Sequence, residues 1–496
     1  MQDFKDVRDI GVIGGGTAGY FTALYLKKKF GDKNITVIES SKIPIIGVGE
    51  ASTPLLLKFI HSILGFSVHE FFNATKPTLK LGVKFNWGRK EDKHYLNPFG
   101  RMDTIASLRY KQSLDYTSLT TRMMAADKAP FISRNGEVLP IKVKSGMAYH
   151  IDNELLVKYL KEKIQLAKIN HIDAKIEKTF LKKNNSDIDY LQTDQQKELK
   201  FDMYFDCTGF SSYLLGKALK TNWVDYGDSL MTNSAILGKA SHTNGIKPYT
   251  TASTLNHGWL WETPTQRENH LGYVYSDKFC SAEEARSELR KYCPEINDEK
   301  VIRFKSGRYE KSWSGNTIAI GNAFAFVEPL ESTGLHMIIL QLEKFEKYLK
   351  NEKTLEAAQA RYNSKINRSW DYIKWFIALH FKYNEKKDTP FWKMVREHTD
   401  LSGIQDYLNY YKKNGPVFFN ENNVLNQQLK NTIFGTFSFD LVMLGSGFGW
   451  EHIVDNQPQI RAAEKIITFN EKVVANALSH EESLIYLENN LSFCFR

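Results

Sequence analysis

One unit near the N-terminus constrains this chain more than any other. Asp9-Ile10-Gly11-Val12-Ile13 reads as a buried strand, Gly14-Gly15-Gly16-Thr17-Ala18-Gly19 satisfies G-x-G-x-x-G, and Tyr20 to Lys29 continues as a helix. A second strand, Ile35-Thr36-Val37-Ile38, ends in Glu39. Together these make a complete dinucleotide-binding fingerprint. Gly14 permits the tight turn, Gly16 lets a pyrophosphate approach the backbone, Gly19 lets helix and strand pack closely, and Glu39 can accept hydrogen bonds from a ribose. A chain built on this unit is predicted to form an α/β fold around a parallel sheet.

Three further stretches have permissive or polar backbone at places where chemistry is possible. Gly47 and Gly49 flank Val48 ahead of Ser52-Thr53-Pro54, a run able to fold over a flat ring, with a helix predicted from Leu55 to Leu64. Phe201 to Phe205 reads as a strand ending in Asp206-Cys207-Thr208-Gly209, a second place where backbone meets the nucleotide. Phe326 to Leu335 reads as a turn opening a helix, with Ser332 and Thr333 able to cap, Gly334 allowing close approach and Glu331 in the first turn. Free N–H groups gather at such a start and suit an anion, yet the same residues equally describe an ordinary helix N-terminus.

Thr78 to Trp87 alternates as one strand, with Leu79, Leu81, Val83, Phe85 and Trp87 on one face and Lys80, Gly82, Lys84 and Asn86 on the other. Lys80 taken by itself is a solvated residue on a strand edge. A strand over Ser253 to Pro264, another over Leu271 to Tyr275, and a buried strand from Asn316 leading to Gly321 complete the sheets. The expected organisation is a discontinuous nucleotide domain (1–87 with 148–221 and 302–345), an inserted mixed-sheet lobe (88–147 with 222–301) and a mostly helical C-terminal part (346–496).

The 496 residues are 42% hydrophobic and 25% charged, as in a soluble globular protein, and the 13% of aromatic residues suits a site for planar molecules. The net charge of +9 is scattered in short lysine groups with no long basic run, so no nucleic-acid partner is expected. Cys207, Cys280, Cys293 and Cys494 lack paired spacing, which predicts reduced thiols and no metal site. The absence of a signal peptide and of any spanning apolar run predicts a cytoplasmic protein without membrane contact.

Assembled, these stretches resemble a flavin-dependent halogenase of the tryptophan-halogenase type. The marks are Gly14 to Gly19, Gly47-Val48-Gly49-Glu50-Ala51-Ser52-Thr53-Pro54, Trp259-Leu260-Trp261-Glu262-Thr263-Pro264 and Glu328-Pro329-Leu330-Glu331-Ser332-Thr333-Gly334. The W-x-W-x-x-P pattern is the specific one, although Thr263 stands where the family usually has isoleucine. The resemblance implies a Rossmann-like FAD-binding domain of the flavin monooxygenase and halogenase type. It implies FAD used as FADH2, supplied by a separate NAD(P)H-dependent flavin reductase, which agrees with the single dinucleotide fingerprint. Oxygen then gives a flavin hydroperoxide, and chloride, bromide or iodide becomes hypohalous acid that travels through a tunnel to a lysine.

On this resemblance the lysine is Lys80, its partner carboxylate Glu331, and the halide-binding backbone Thr333 and Gly334. The FAD set comprises Gly14, Gly16, Thr17, Ala18, Gly19, Glu39, Gly47, Gly49, Glu50, Ala51, Asp206, Gly209, Gly321, Pro329 and Gly334. Trp259, Trp261, Pro264, Phe99 and Ser332 line the tunnel and the substrate. Two departures bear on substrate. Asn97-Pro98-Phe99 occupies the place of a His-x-Phe, and no Tyr-Tyr pair with glutamate appears around Phe437 to Phe448. An indole- or phenol-like aromatic without an amino-acid clamp is therefore expected in preference to free tryptophan. A homo-oligomer is compatible with all of this. A flavin monooxygenase of the same fold, or a flavin-binding protein without turnover, remains the alternative.

Overall fold

The computed structural model describes residues 4–43, 49–91, 94–100, 113–134, 137–141, 146–417, 424–430, 432–451 and 457–489. Gly47 and Cys494 lie outside the described residues. The first sheet has six strands in the order Asn170–Asp173, Asn34–Glu39, Asp9–Ile13, Met203–Asp206, Thr317–Ala319 and Trp313–Ser314. All its neighbours run parallel except the last pair. Ile13 is in register with Ile38 on one side and Asp206 on the other. The turns after these three strands therefore open at the same edge, the carboxyl edge where α/β sheets bind ligands.

The helix after the first turn spans Thr17–Lys29. It is buried from Gly19 through Leu26, so it carries apolar residues all round, and its last turn holds Lys27, Lys28 and Lys29, which complement the helix dipole. Gly19 is required because a Cβ there would lie 1.8 Å from the Gly14 carbonyl oxygen. Gly14 itself has φ +116, in the region that favours glycine.

A second sheet of seven strands runs in the order Asn297–Arg303, Ser234–Ala240, Asn269–Tyr275, Gly258–Pro264, Thr250–Leu255, Gly82–Asn86 and Tyr95–Pro98. A small third sheet sets Ala148–Asp152 between Gly49–Ala51 and Thr78–Lys80. The longest helices, Gly334–Asn351 and Leu355–Lys382, pack behind the first sheet and carry the chain toward the C-terminal helices. One buried apolar cluster extends from Val7 to Leu487 and joins both large sheets to those helices.

Three local expectations change. The alternating run Thr78 to Trp87 is two strands in two sheets, broken at Leu81. The Leu81 N–H donates to Pro248 and its carbonyl accepts from Phe99, which turns the chain from the small sheet into the large one. Gly82 allows the turn, since a Cβ there would lie 2.2 Å from the Asn97 carbonyl oxygen. Ser253 to Pro264 is a hairpin, with Leu255 opposite Gly258 across the two-residue turn Asn256-His257. The helix expected over Leu55 to Leu64 is α-helical at Pro54–Leu57 and widens to a π-turn over Lys58–Ile63.

Candidate active site

A cavity of about 660 Å³ lies at the carboxyl edge of the first sheet, facing the seven-stranded sheet. The turn Gly14-Gly15-Gly16 with Thr17 and Ala18 forms one wall, and Glu39, Gly49, Glu50 and Ala51 form another. Thr208, Gly209, Pro329, Ser332, Thr333 and Gly334, the last at the start of the long helix, close the floor. At Gly16, Gly209 and Gly334 an added Cβ would meet nothing within 4 Å, so bare backbone faces open space at three places around one cavity. These residues fit a flavin dinucleotide.

Glu39 is built in place. Tyr20 Oη donates to its Oε2 at 2.8 Å, and Lys161 Nζ and His171 Nε2 donate to its Oε1 at 2.6 and 2.7 Å. Burial alone would raise its carboxyl; the bonds from Lys161, Tyr20 and His171 outweigh that and hold it below the ordinary range. At the other end, Thr333 is the N-cap of Gly334–Asn351 and makes no side-chain cap bond. The first-turn N–H groups are thus left to whatever occupies the cavity.

Behind that wall sits a second centre. Ser332, at φ +57 in the left-handed region, lines the cavity and accepts a 2.6 Å hydrogen bond from Lys80 Nζ. Lys80 is wholly buried, and burial pushes its ammonium down to about 7 from the usual 10.5, against the opposing pull of the Glu331 charge. The Phe99 ring lies 5.3 Å from Lys80 Nζ. Next to Ser332 in the chain, Glu331 is 6% exposed, and its Oε1 accepts from Asn97 Nδ2 at 3.0 Å and from His380 Nε2 at 2.8 Å. A lysine and a carboxylate are therefore buried on one side of a serine whose other side faces the cofactor cavity.

A family model for tryptophan halogenases matches residues 9–458. The chain belongs to the tryptophan halogenase family. It is 30% identical over 433 residues, 81% of either chain, to the tryptophan 7-halogenase RebH of Lentzea aerocolonigenes. Among solved structures it is similar to MibH, a lathipeptide tryptophan 5-halogenase, at 34% identity and a TM-score of 0.92 over 98% of this chain and 94% of that one. BrvH, a flavin-dependent halogenase from Brevundimonas sp. BAL3, matches at 25% identity and a TM-score of 0.86 over 97% and 99%. The α/β fold with a Rossmann-like sheet is the fold of these enzymes, and the protein is a flavin-dependent halogenase.

In this halogenase the two tryptophans have different surroundings. Trp261 lines the cavity and lies flat over Gly272, its partner on the next strand, where a Cβ would lie 1.9 Å from the ring. Trp259 stands 6.0 Å behind it, fully buried, and its Nε1 donates to Glu328 Oε2. Glu328 also accepts from Thr232 Oγ1 at 2.8 Å; burial pushes its carboxyl up to about 7 despite the Trp259 and Thr232 bonds. Both tryptophans thus share one face of the hairpin strand, while Leu260 points into a separate core.

Several expected site residues, three from the cofactor set and Pro264 from the tunnel set, lie off the cavity wall. Asp206 is fully buried, and its carboxylate accepts from Thr208 and from the N–H groups of Leu214 and Leu215, which shapes the turn after its strand. Gly19 packs on Gly14. Gly321, at φ +61, stands behind the wall, with Ile338 3.1 Å from a Cβ built on it. Pro264 contributes its carbonyl to Thr78 Oγ1. Sequence reasoning missed Asn97 and His380 as partners of Glu331. Asn97 carried a signal, as the departure from His-x-Phe; His380, inside an ordinary amphipathic helix, carried none. Among the described residues no helix is long and apolar enough to cross a membrane.

Proposed function

We propose that this enzyme halogenates an electron-rich aromatic of the indole or phenol type, using FADH2 delivered by a separate flavin reductase, oxygen and a halide ion. The observation that carries the reading is the buried Lys80 hydrogen-bonded to Ser332, a residue that itself lines the cofactor cavity. Bound reduced flavin together with oxygen would supply the chemistry that oxidises halide to hypohalous acid, oxygen being the oxidant. Everything else falls to the chain. Gly14, Gly16 and Gly209 hold the dinucleotide by bare backbone, Glu39 takes a ribose, and the uncapped N–H groups at Thr333 and Gly334 hold the halide. Trp261 and Trp259 keep the aromatic away from the flavin.

Lys80 donates an N–H to the hypohalous oxygen, which both the ammonium and the neutral amine can do, and so draws electron density from the halogen. The ring carbon bonds the halogen, hydroxide leaves, and Glu331 takes the ring proton, whose C–H electrons restore the aromatic system. The proton and the hydroxide together leave as water.

The test is direct. The protein is incubated with FAD, a flavin reductase, NADH, oxygen and each halide, and offered indole, phenols, free tryptophan and a tryptophan-containing peptide. Halogenated products by mass are expected. Hydroxylated products indifferent to bromide would support a monooxygenase instead.

A further inference from the structure

The helix Leu355–Lys382 delivers His380 to the back of Glu331. Its ring is fully enclosed, with Phe85 and Phe376 at 5.0 Å and Trp87 at 6.3 Å between centroids. Both nitrogens are engaged: Nδ1 lies 2.9 Å from the Phe376 carbonyl oxygen and Nε2 lies 2.8 Å from Glu331 Oε1. A carbonyl only accepts, so Nδ1 carries hydrogen. A second proton must lie between Nε2 and Oε1. Asn97 Nδ2 donates to that same oxygen, and two converging donors favour the ionised carboxylate.

We propose that His380 is a positioning residue for halogenation: its imidazolium clamps Glu331 Oε1, with Asn97, and so keeps Oε2 ionised and available to the substrate. The inference rests on Glu331 being the base. No partner for Oε2 is found among the described residues. Two further titratable groups around the pair are held neutral. Tyr95 is held well above its ordinary value by burial and by the Glu331 charge, and His150, behind Lys80, is held well below its own by burial and by Lys80. Lys80 donates to Ser332, and no ion pair joins it to Glu331 among the described residues. His380 is thus the cation in hydrogen-bond contact with Glu331, and charge-assisted bonds of this kind are about twice as strong as neutral ones.

His380→Gln keeps a neutral donor toward Oε1 and loses the charge; His380→Ala loses both. The pH–rate profile of indole bromination with saturating FADH2 is measured for the parent, both variants and Glu331→Gln. Oxidation of reduced flavin is followed in parallel and should be unchanged. For His380→Gln the acid limb of the profile should move up in pH, because an adjacent opposite charge favours the ionised carboxylate and its loss disfavours it. The rate on that limb should fall and recover toward the parent's as the pH is raised, whereas His380→Ala should not recover. Nitrogen NMR of the cofactor-free parent, its 13 histidines resolved by difference against His380→Gln, should show both His380 nitrogens protonated at pH 7. A parent-like profile in His380→Gln, or a single protonated nitrogen in the parent, overturns the proposal. Full activity in Glu331→Gln would instead remove the base on which it rests.

Discussion

Lys80→Met removes the buried amine and keeps an unbranched side chain of similar length. The consequence for stability follows from the position of the group. In the unfolded chain the amine titrates at its usual 10.5; in the folded protein burial brings it down to about 7. Between these values the unfolded chain holds a proton that the folded chain has shed, so stability rises with pH across that window. The penalty is complete below about pH 7 and gone above about 10.5. At 1.36 kcal/mol per pH unit it comes to about 4 kcal/mol at neutral pH. Against this, the variant leaves Ser332 Oγ, 4% exposed, without its donor, which costs about 1–3 kcal/mol. Lys80→Met should therefore be the more stable protein at pH 7 by about 1–3 kcal/mol, and that advantage should shrink to nothing or reverse near pH 10.

Urea unfolding of the cofactor-free proteins at several pH values measures the difference. Mass spectrometry and flavin absorbance measure the function: halogenated product should disappear while reduced flavin is still oxidised. A variant less stable than the parent at pH 7, or a difference that does not change from pH 7 to 10, would refute the argument from burial. Full product yield with unchanged regiochemistry would refute the role of the amine. The destabilising lysine is the kind of local cost expected at a functional site.

Other expected outcomes follow from the same geometry. Gly16→Val should fold normally, because φ is −85 and a Cβ meets nothing within 4 Å, yet bind FAD at least tenfold more weakly in a fluorescence titration; unchanged affinity would move the pyrophosphate elsewhere. Gly19→Val, whose Cβ would lie 1.8 Å from the Gly14 carbonyl oxygen, should fail at folding instead, read as loss of soluble protein. Glu331→Gln should lower the halogenation rate on the order of a hundredfold, as expected for loss of a general base, with flavin oxidation intact. Indole and simple phenols should react at least as well as free tryptophan in side-by-side kinetics, and a large preference for tryptophan would show an amino-acid clamp.

The parts of this enzyme that were legible in its sequence are those whose physics is local. The fingerprint strand occupies Asp9–Ile13 as read, because hydrophobic run, glycine turn and helix are adjacent in the chain. The strand that carries Trp259 and Trp261 was read, but not the turn at Asn256-His257, which lacks the glycine that usually announces a hairpin. Alternation over Thr78 to Trp87 put Lys80 on the polar face, a solvated residue when taken by itself. It is buried because the chain changes sheets at Leu81, a choice made by Pro248 and Phe99 and invisible in the run itself. Asp206 differs for the opposite reason: an acid at a strand end looks like a ligand for a nucleotide, whereas it accepts from the neighbouring Thr208 hydroxyl and from the N–H groups of Leu214 and Leu215, and those backbone groups have no side-chain signature. The surroundings of Glu331 were least legible, since Asn97 and His380 lie 234 and 49 positions away from it. On the resemblance, Asn97 falls where the family pattern has the histidine of His-x-Phe, and its amide lands on the oxygen of Glu331 that His380 holds. Read from sequence, that departure looked like a lost substrate contact. In the fold Asn97 is a hydrogen-bond donor to Glu331, so the residue at this position bears on the surroundings of that carboxylate as well as on what the pocket can bind.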